Sequence, residues 1–247
     1  MALIWQKTLA ATDYQVRSAG QTRRLYTNGV FHSQYNPNRP WTHGVWDLLM
    51  LPTLFHQPGQ IRRVLVLGVG GGAVIRLLQE HIQPEEIIGI DLNTVHLSVA
   101  RRFFGVKRSS AQLVRADACD WLRTYRGAPF DLIIDDLFGE EEGEPVRAVN
   151  LDVPWCRVLK RHLSTRGIIV VNTMGNRDLR ESAFLSHPET ARSFRSAWRL
   201  SLPLYDNVVG AFLRIDARRN TLYKALDVLP RTAGRKLDFR MRSIPLP

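Results

Sequence analysis

Cysteine is scarce in this chain: only Cys119 and Cys156 occur in 247 residues, far apart and without metal-ligand spacing. That excludes a disulfide framework and a cysteine-based metal site, and it fits reduced core thiols in a cytoplasmic protein. No apolar run approaches the length of a membrane span. The opening M-A-L-I-W-Q-K-T-L has no basic start followed by a long apolar core, so no secretory signal is expected. Internal repeats and low-complexity segments are also missing. Acidic residues are in deficit, 23 against 34 Lys and Arg, which gives a net charge of +11 and a pI near 10.3. Such a charge raises the question of a nucleic-acid partner. Residues 214 to 247 hold nine Lys/Arg and three Asp, so this end alone supplies +6. With no RNA-binding module bearing stacking aromatics, it reads as a basic tail over 217–247, and nucleic acid is not the favoured partner.

The most informative stretch is Ile61 to Asp91. Val64 to Leu67 is a short, wholly apolar run, the pattern of a strand buried on both faces of a parallel sheet. Gly68, Gly70, Gly71 and Gly72 follow at once and permit a tight turn with close backbone approach to a ligand. Ala73 to His81 takes up a helical period, and Ile87 to Ile90 is a second buried strand that ends in Asp91. Strand, glycine turn, helix start and strand-end acid together describe a nucleoside site, with Asp91 on the ribose hydroxyls. The glycines fit both the dinucleotide fingerprint and the turn of S-adenosylmethionine (AdoMet) enzymes, so other residues must choose between them.

Downstream, helices are expected over 93–104, 118–125, 152–163 and most of 178–198, and strands at 113–114, 130–134 and 168–172. An antiparallel hairpin is expected around Asp206-Asn207. Upstream, residues 1–35 read as short strands with turns, 35–40 as a loop and 41–51 as a helix. The fold class is therefore α/β: a mainly parallel sheet with a C-terminal antiparallel hairpin, preceded by a region of short strands. The expected divisions are 1–52, 53–216 and the tail 217–247.

Ligands of open α/β sheets sit beyond the carboxyl ends of the strands, where this chain places Asp91, Asp117 and the pair Asp135-Asp136. Asp117 is placed to accept from an adenine amino group, with the Ala118 N–H beside the ring. A dinucleotide enzyme needs no acid there, so Asp117 favours AdoMet over NAD, although a helix cap is its plainer use. Residues 135 to 144 carry six carboxylates in ten positions, suited to attracting a cationic acceptor. Without an interleaved His or Cys, this cluster is not expected to hold a metal. Its alternative reading is a solvated acidic loop. Asp136, directly at the strand end, is the expected general base, with His43 as a second candidate.

The order of L-Y-T-N-G-V-F-H, V-L-V-L-G-V-G-G-G-A, G-I-D-L-N, V-R-A-D-A, F-D-L-I-I-D-D and L-P-L-Y-D-N-V-V-G-A-F-L resembles the spermidine synthase family of aminopropyltransferases over about residues 14 to 215. The resemblance implies a Rossmann-like class I AdoMet methyltransferase fold with a small N-terminal β-hairpin domain before the core, ribose at Asp91, adenine at Asp117 and Ala118, a catalytic Asp136, Tyr205 near the reacting amine, and a homodimer. It also shows departures. The family's glycine motif is G-G-G-D-G-G, and its arm-binding aspartate is here Gly71. Its D-S-S-D is here Asp136-Leu-Phe-Gly139. A glutamine after the first hairpin appears as His32, and a substrate-side tyrosine as Trp41. Two lost carboxylates leave two ligand ammoniums without partners, at a cost of several kcal/mol each if buried. Gly71 in place of the arm-binding aspartate makes room for an intact methionine carboxylate beside the helix start, which favours an anion, so the expectation is methyl transfer from AdoMet to an amine-bearing or cationic small molecule. The alternatives are aminopropyl transfer from decarboxylated AdoMet and a non-catalytic nucleoside-binding homologue.

Overall fold

A computed structural model describes residues 1–39, 41–141, 143–229 and 237–247. Four antiparallel strands come first: β1 (Ala2–Leu9), β2 (Thr12–Ala19), β3 (Thr22–Thr27) and β4 (Val30–Tyr35), in that spatial order. The turn signals at Gly20 and Asn28-Gly29 fall where the strands reverse, each with positive φ. The expected helix over 41–51 is shorter, α1 (Val45–Met50), and runs into a 3₁₀ turn at Leu51–Phe55. Pro52 stands at the start of that turn, where its missing N–H costs nothing.

The core then alternates: β5 (Arg63–Leu67), α2 (Ala73–His81), β6 (Glu86–Asp91), α3 (Thr94–Phe103), β7 (Gln112–Arg115), α4 (Ala118–Thr124) and β8 (Phe130–Asp135). Val64 to Leu67 are fully buried, as the unbroken apolar run requires. Helix starts are set by side chains the sequence supplies. Asn93 accepts from the N–H groups of Val95 and His96, and Asp117 accepts from that of Asp120.

The acidic segment after Asp136 is not a plain loop. It pairs as β9 (Phe138–Glu141) and β10 (Glu144–Arg147), while Glu142 lies outside the described residues. Next come α5 (Val153–Arg161), β11 (Leu163–Thr173), α6 (Asn176–Glu181), α7 (Ala183–Ser186), α8 (Pro188–Ala191), β12 (Ser196–Ser201) and β13 (Val208–Leu213). Two expectations shift here. Trp198 belongs to a strand rather than a helix, and the hairpin's first strand ends at Ser201, so its turn spans residues 202–207.

The stretch expected as a basic tail contributes α9 (Arg219–Val228) and β14 (Arg240–Ile244), which pairs with β12; residues 230–236 of that stretch lie outside the described ones. Among the described residues, eight strands form the central sheet in the order β14-β12-β13-β11-β8-β5-β6-β7. The five from β11 to β7 are parallel and the other three antiparallel. Apolar side chains cover both faces of this sheet. The N-terminal sheet packs on α3 through Tyr14, Val16 and Leu25 against Val95, Val99 and Phe104.

Candidate active site

A cavity of about 460 Å³ opens where the carboxyl ends of β5, β6 and β8 meet the N-terminal sheet and the β9–β10 hairpin. That volume suits a nucleoside-sized ligand. Gly68 and Gly70 both have positive φ and form its floor. A Cβ on Gly68 would lie 2.1 Å from the Asp136 carbonyl oxygen, and one on Gly70 would lie 3.1 Å from the His32 carbonyl oxygen. Only glycine lets β8 and β4 come this close.

Asp91 ends β6 and is tied into the same turn. Its Oδ2 accepts from the Val69 and Gly70 N–H groups, both at 3.0 Å, and its Oδ1 from Asn93 N–H at 2.8 Å. Burial acts to raise its pKa, but the His96 ring and these N–H groups outweigh it, so the carboxyl titrates below the usual range. His96 Nδ1 stands 3.8 Å from Asp91 Oδ2, and its Nε2 lies 2.8 Å from Thr27 Oγ1. His32 faces His96 with ring centroids 5.0 Å apart. Burial, followed by the charge of His96, pushes the His32 pKa down to about 4, so it is neutral at physiological pH. Its Nε2 is buried with no hydrogen-bond partner among the described residues, which leaves one polar atom on the cavity wall for a ligand. Asp117 and Ala118 line the same end of the cavity.

At the other end Asp136 follows β8. Burial raises its pKa to about 6, opposed by the Asn172 side chain, whose Nδ2 donates to Oδ1 at 2.8 Å, and by the charge of Arg147. Asn207 Nδ2 in turn donates to Asn172 Oδ1 at 3.2 Å. Phe31, Trp46 and Tyr205 form an apolar wall there, with Phe31 and Trp46 edge to face at 5.2 Å. Burial lifts the Tyr205 pKa. Glu140 reaches the cavity from β9 and accepts from Asn28 Nδ2 at 2.6 Å, which joins the hairpin to the N-terminal sheet.

The structure thus gathers Gly68, Gly70, Asp91, Asp117, Ala118, His32, Asp136 and Tyr205 around one cavity. Four expected site residues stand outside its wall. Gly71 and Gly72 are packing positions: a Cβ on Gly71 would meet Ser33 at 2.7 Å and Phe104 at 2.9 Å, and one on Gly72 would meet Val106 at 2.7 Å. Asp135 is fully buried on the opposite face of β8 from Asp136. Arg147 Nη2 bridges its two oxygens at 2.9 and 3.0 Å, and Trp155 Nε1 donates at 2.8 Å. Successive strand residues point to opposite faces, so only one of this pair can reach the cavity. The His43 N–H donates to Asp47 Oδ2, and the residue belongs to a turn held by that buried carboxylate. Trp41 likewise lies off the cavity, stacked on His81 at 4.5 Å.

Several cavity residues were not foreseen: Thr27, Trp46, His96, Asn172 and Asn207. Only His96 carried a sequence signal, a buried-face position one turn into the helix that starts after Asp91.

A methyltransferase-domain family profile matches residues 64–150. A polyamine aminopropyltransferase of Caldanaerobacter subterraneus subsp. tengcongensis is 30% identical over 107 residues, 42% of this chain and 35% of that protein. One of Ralstonia nicotianae is 31% identical over 156 residues, 60% of this chain and 29% of that protein. The chain therefore spans well under half the length of these curated relatives. A probable spermidine synthase from Corynebacterium glutamicum superposes with a TM-score of 0.75 at 16% identity, covering 98% of this chain and 91% of that one. A spermidine synthase solved with the transition-state analogue AdoDATO gives 0.66 at 13% identity, covering 96% and 80%. The superpositions show that the chain shares the Rossmann-like α/β fold of these solved spermidine synthases, and part of its sequence is similar to polyamine aminopropyltransferases.

Proposed function

We propose that the protein is an aminopropyltransferase that moves the aminopropyl arm of decarboxylated AdoMet onto the nitrogen of a small amine. The observation that carries this reading is Asp136: a carboxyl with its pKa raised to about 6, standing between a nucleoside-shaped end and an aromatic wall. The polyamine aminopropyltransferase names of the sequence relatives support it. The expectation of methyl transfer rested on Gly71 making room for a methionine carboxylate. Gly71 faces Ser33 and Phe104 instead, so its missing side chain makes no room in the cavity.

The chemistry asks little of the protein beyond placement, because a sulfonium is already an activated leaving group. Asp91 and His96 would hold the ribose, Asp117 and the Ala118 N–H the adenine, and the unpartnered His32 Nε2 a further polar atom of the donor. Phe31, Trp46 and Tyr205 would flank the acceptor, where ring faces also favour an ammonium. The amine attacks the arm's methylene carbon that is bonded to the sulfonium sulfur, as that carbon–sulfur bond breaks and methylthioadenosine leaves. Asp136 takes the proton the nitrogen sheds, and Asn172, fixed by Asn207, leaves Asp136 Oδ2 free to accept it.

A second reading, methyl transfer from intact AdoMet, is favoured by the methyltransferase-domain match alone. Calorimetric titration with AdoMet, decarboxylated AdoMet and NAD separates the two, followed by turnover assays with small amines. Tighter binding of the decarboxylated donor and formation of methylthioadenosine are expected. Tighter AdoMet binding with formation of S-adenosylhomocysteine would overturn the proposal.

A further inference from the structure

A second groove, of about 720 Å³, lies at the far end of α3 from the cavity, lined in part by Ser98, Arg101, Arg102, Arg108 and Gln112. Its charge is one-sided. Residues 92 to 116 contain five Lys/Arg (Arg101, Arg102, Lys107, Arg108 and Arg115) and no Asp or Glu. The segment builds α3, the following turn and β7, which is the outermost strand of the central sheet. An outer strand leaves backbone N–H and C=O groups unpaired along one side.

Arginines near a helix C-terminus have an ordinary use, satisfying carbonyls and complementing the helix dipole. That accounts for Arg101, whose Nη1 donates to Val106 O at 3.0 Å and Nη2 to Ala111 O at 2.8 Å. It does not account for Arg102, Lys107 and Arg108, which are exposed and have no acidic partner among the described residues. Burial and then the charge of Arg108 depress the Arg101 pKa, so these cations crowd one another.

We propose that this groove binds the phosphodiester backbone of a nucleic acid, at a place separate from the candidate active site. The groove's cations stand apart on the helix end (Arg101, Arg102) and the following turn (Arg108), which fits a line of phosphates better than one enclosed ion. The net charge of +11 supplies long-range attraction. No aromatic side chain lines the groove, so recognition rests on the backbone without base stacking. The active-site cavity, by contrast, carries Asp91, Asp117, Asp136 and Glu140 and repels phosphate.

The test is fluorescence anisotropy of a labelled oligouridylate with the full chain over a series of salt concentrations. Neutralising about three phosphates predicts a log–log salt slope near −2 for a single strand. The double variant R102E/R108E is expected to bind more than tenfold more weakly with a shallower slope, and R102Q/R108Q to show a smaller loss in the same direction. A control, R240E/R242E, alters the outer strand at the other end of the sheet and is expected to keep wild-type affinity. Melting curves of the variants establish that they fold. Absence of binding at low salt would overturn the proposal. So would unchanged binding by both groove variants, or loss confined to R240E/R242E. Binding of inorganic tripolyphosphate without any of the oligouridylate would also sink it, since the groove would then be a small-anion site.

Discussion

Asn172 sits between Asn207 and Asp136 and is turned by both: its Oδ1 accepts from Asn207 and its Nδ2 donates to Asp136. The bond favours the ionised carboxylate, while burial favours the neutral acid and prevails, leaving a pKa of about 6. A base must be ionised to accept a proton, so kcat/KM for an amine acceptor is expected to rise with pH through about 6. Asn172→Ala removes the bond that supports the ionised form. Its profile should move to higher pH with a lower plateau, as measured by initial rates across a pH series.

The same carboxyl weakens the fold. In the unfolded chain Asp136 titrates near its ordinary 3.8, so between about pH 4 and 6 the folded state binds more protons. Stability is therefore lost as pH rises through that window and stays lost above it. Asp136→Asn has no charge to desolvate and still accepts from Asn172. It is expected to gain on the order of 1 kcal/mol at pH 8 while turnover falls by roughly 10²–10⁴. Thermal melts beside rate measurements check both halves.

Asp135 plays a different part, held by a fixed cation. It is buried against Arg147 and Trp155, and Arg147 also donates to the Asn172 carbonyl. Arg147→Met strands a buried carboxylate and is expected to cost about 3–5 kcal/mol. Adding Asp135→Asn should recover a large part of that loss. Denaturant unfolding of both single variants and the double variant measures the coupling.

Restoring an aspartate in the glycine motif should fail. In Gly71→Asp the new Cβ meets Ser33 and Phe104 within 3 Å, in the contact between the N-terminal sheet and the core. Overpacking of this kind costs about 1–3 kcal/mol. The expected result is a lowered melting temperature with no gain in affinity for decarboxylated AdoMet, by calorimetry.

Much of the parallel sheet was legible because β5, β6 and β8 each hold a short apolar run, and a run buried on both faces has little else to be. Asp91 and Asp136 were legible because each closes such a run, and Asp117 because it stands between a short strand and a helix start. The hairpin at Phe138–Arg147 was not, since its strands are only half-buried and its acids mask any alternation. Asn172 and Asn207 carry no periodic signal: each is one polar residue at the end or edge of a strand, and only tertiary contact gives it a task. Gly71 misled because spacing marks where a glycine stands but not which way its missing side chain would point. The alternation of a strand, applied to Asp135 and Asp136, was enough to assign one of them inward, but it does not say which.

At Gly68 the turn that would cradle the donor lies against the backbone carbonyl of the residue that would serve the acceptor, with no space between for a methyl group. For a lineage changing its substrate, that contact is a constraint. A substitution that reshapes one half of the pocket through this turn also displaces the other, so new acceptors are reached more readily through the hairpin and the aromatic wall than through the glycines. Divergence among such proteins should then accumulate at Phe31, Trp46 and residues 138–147, while the turn stays fixed.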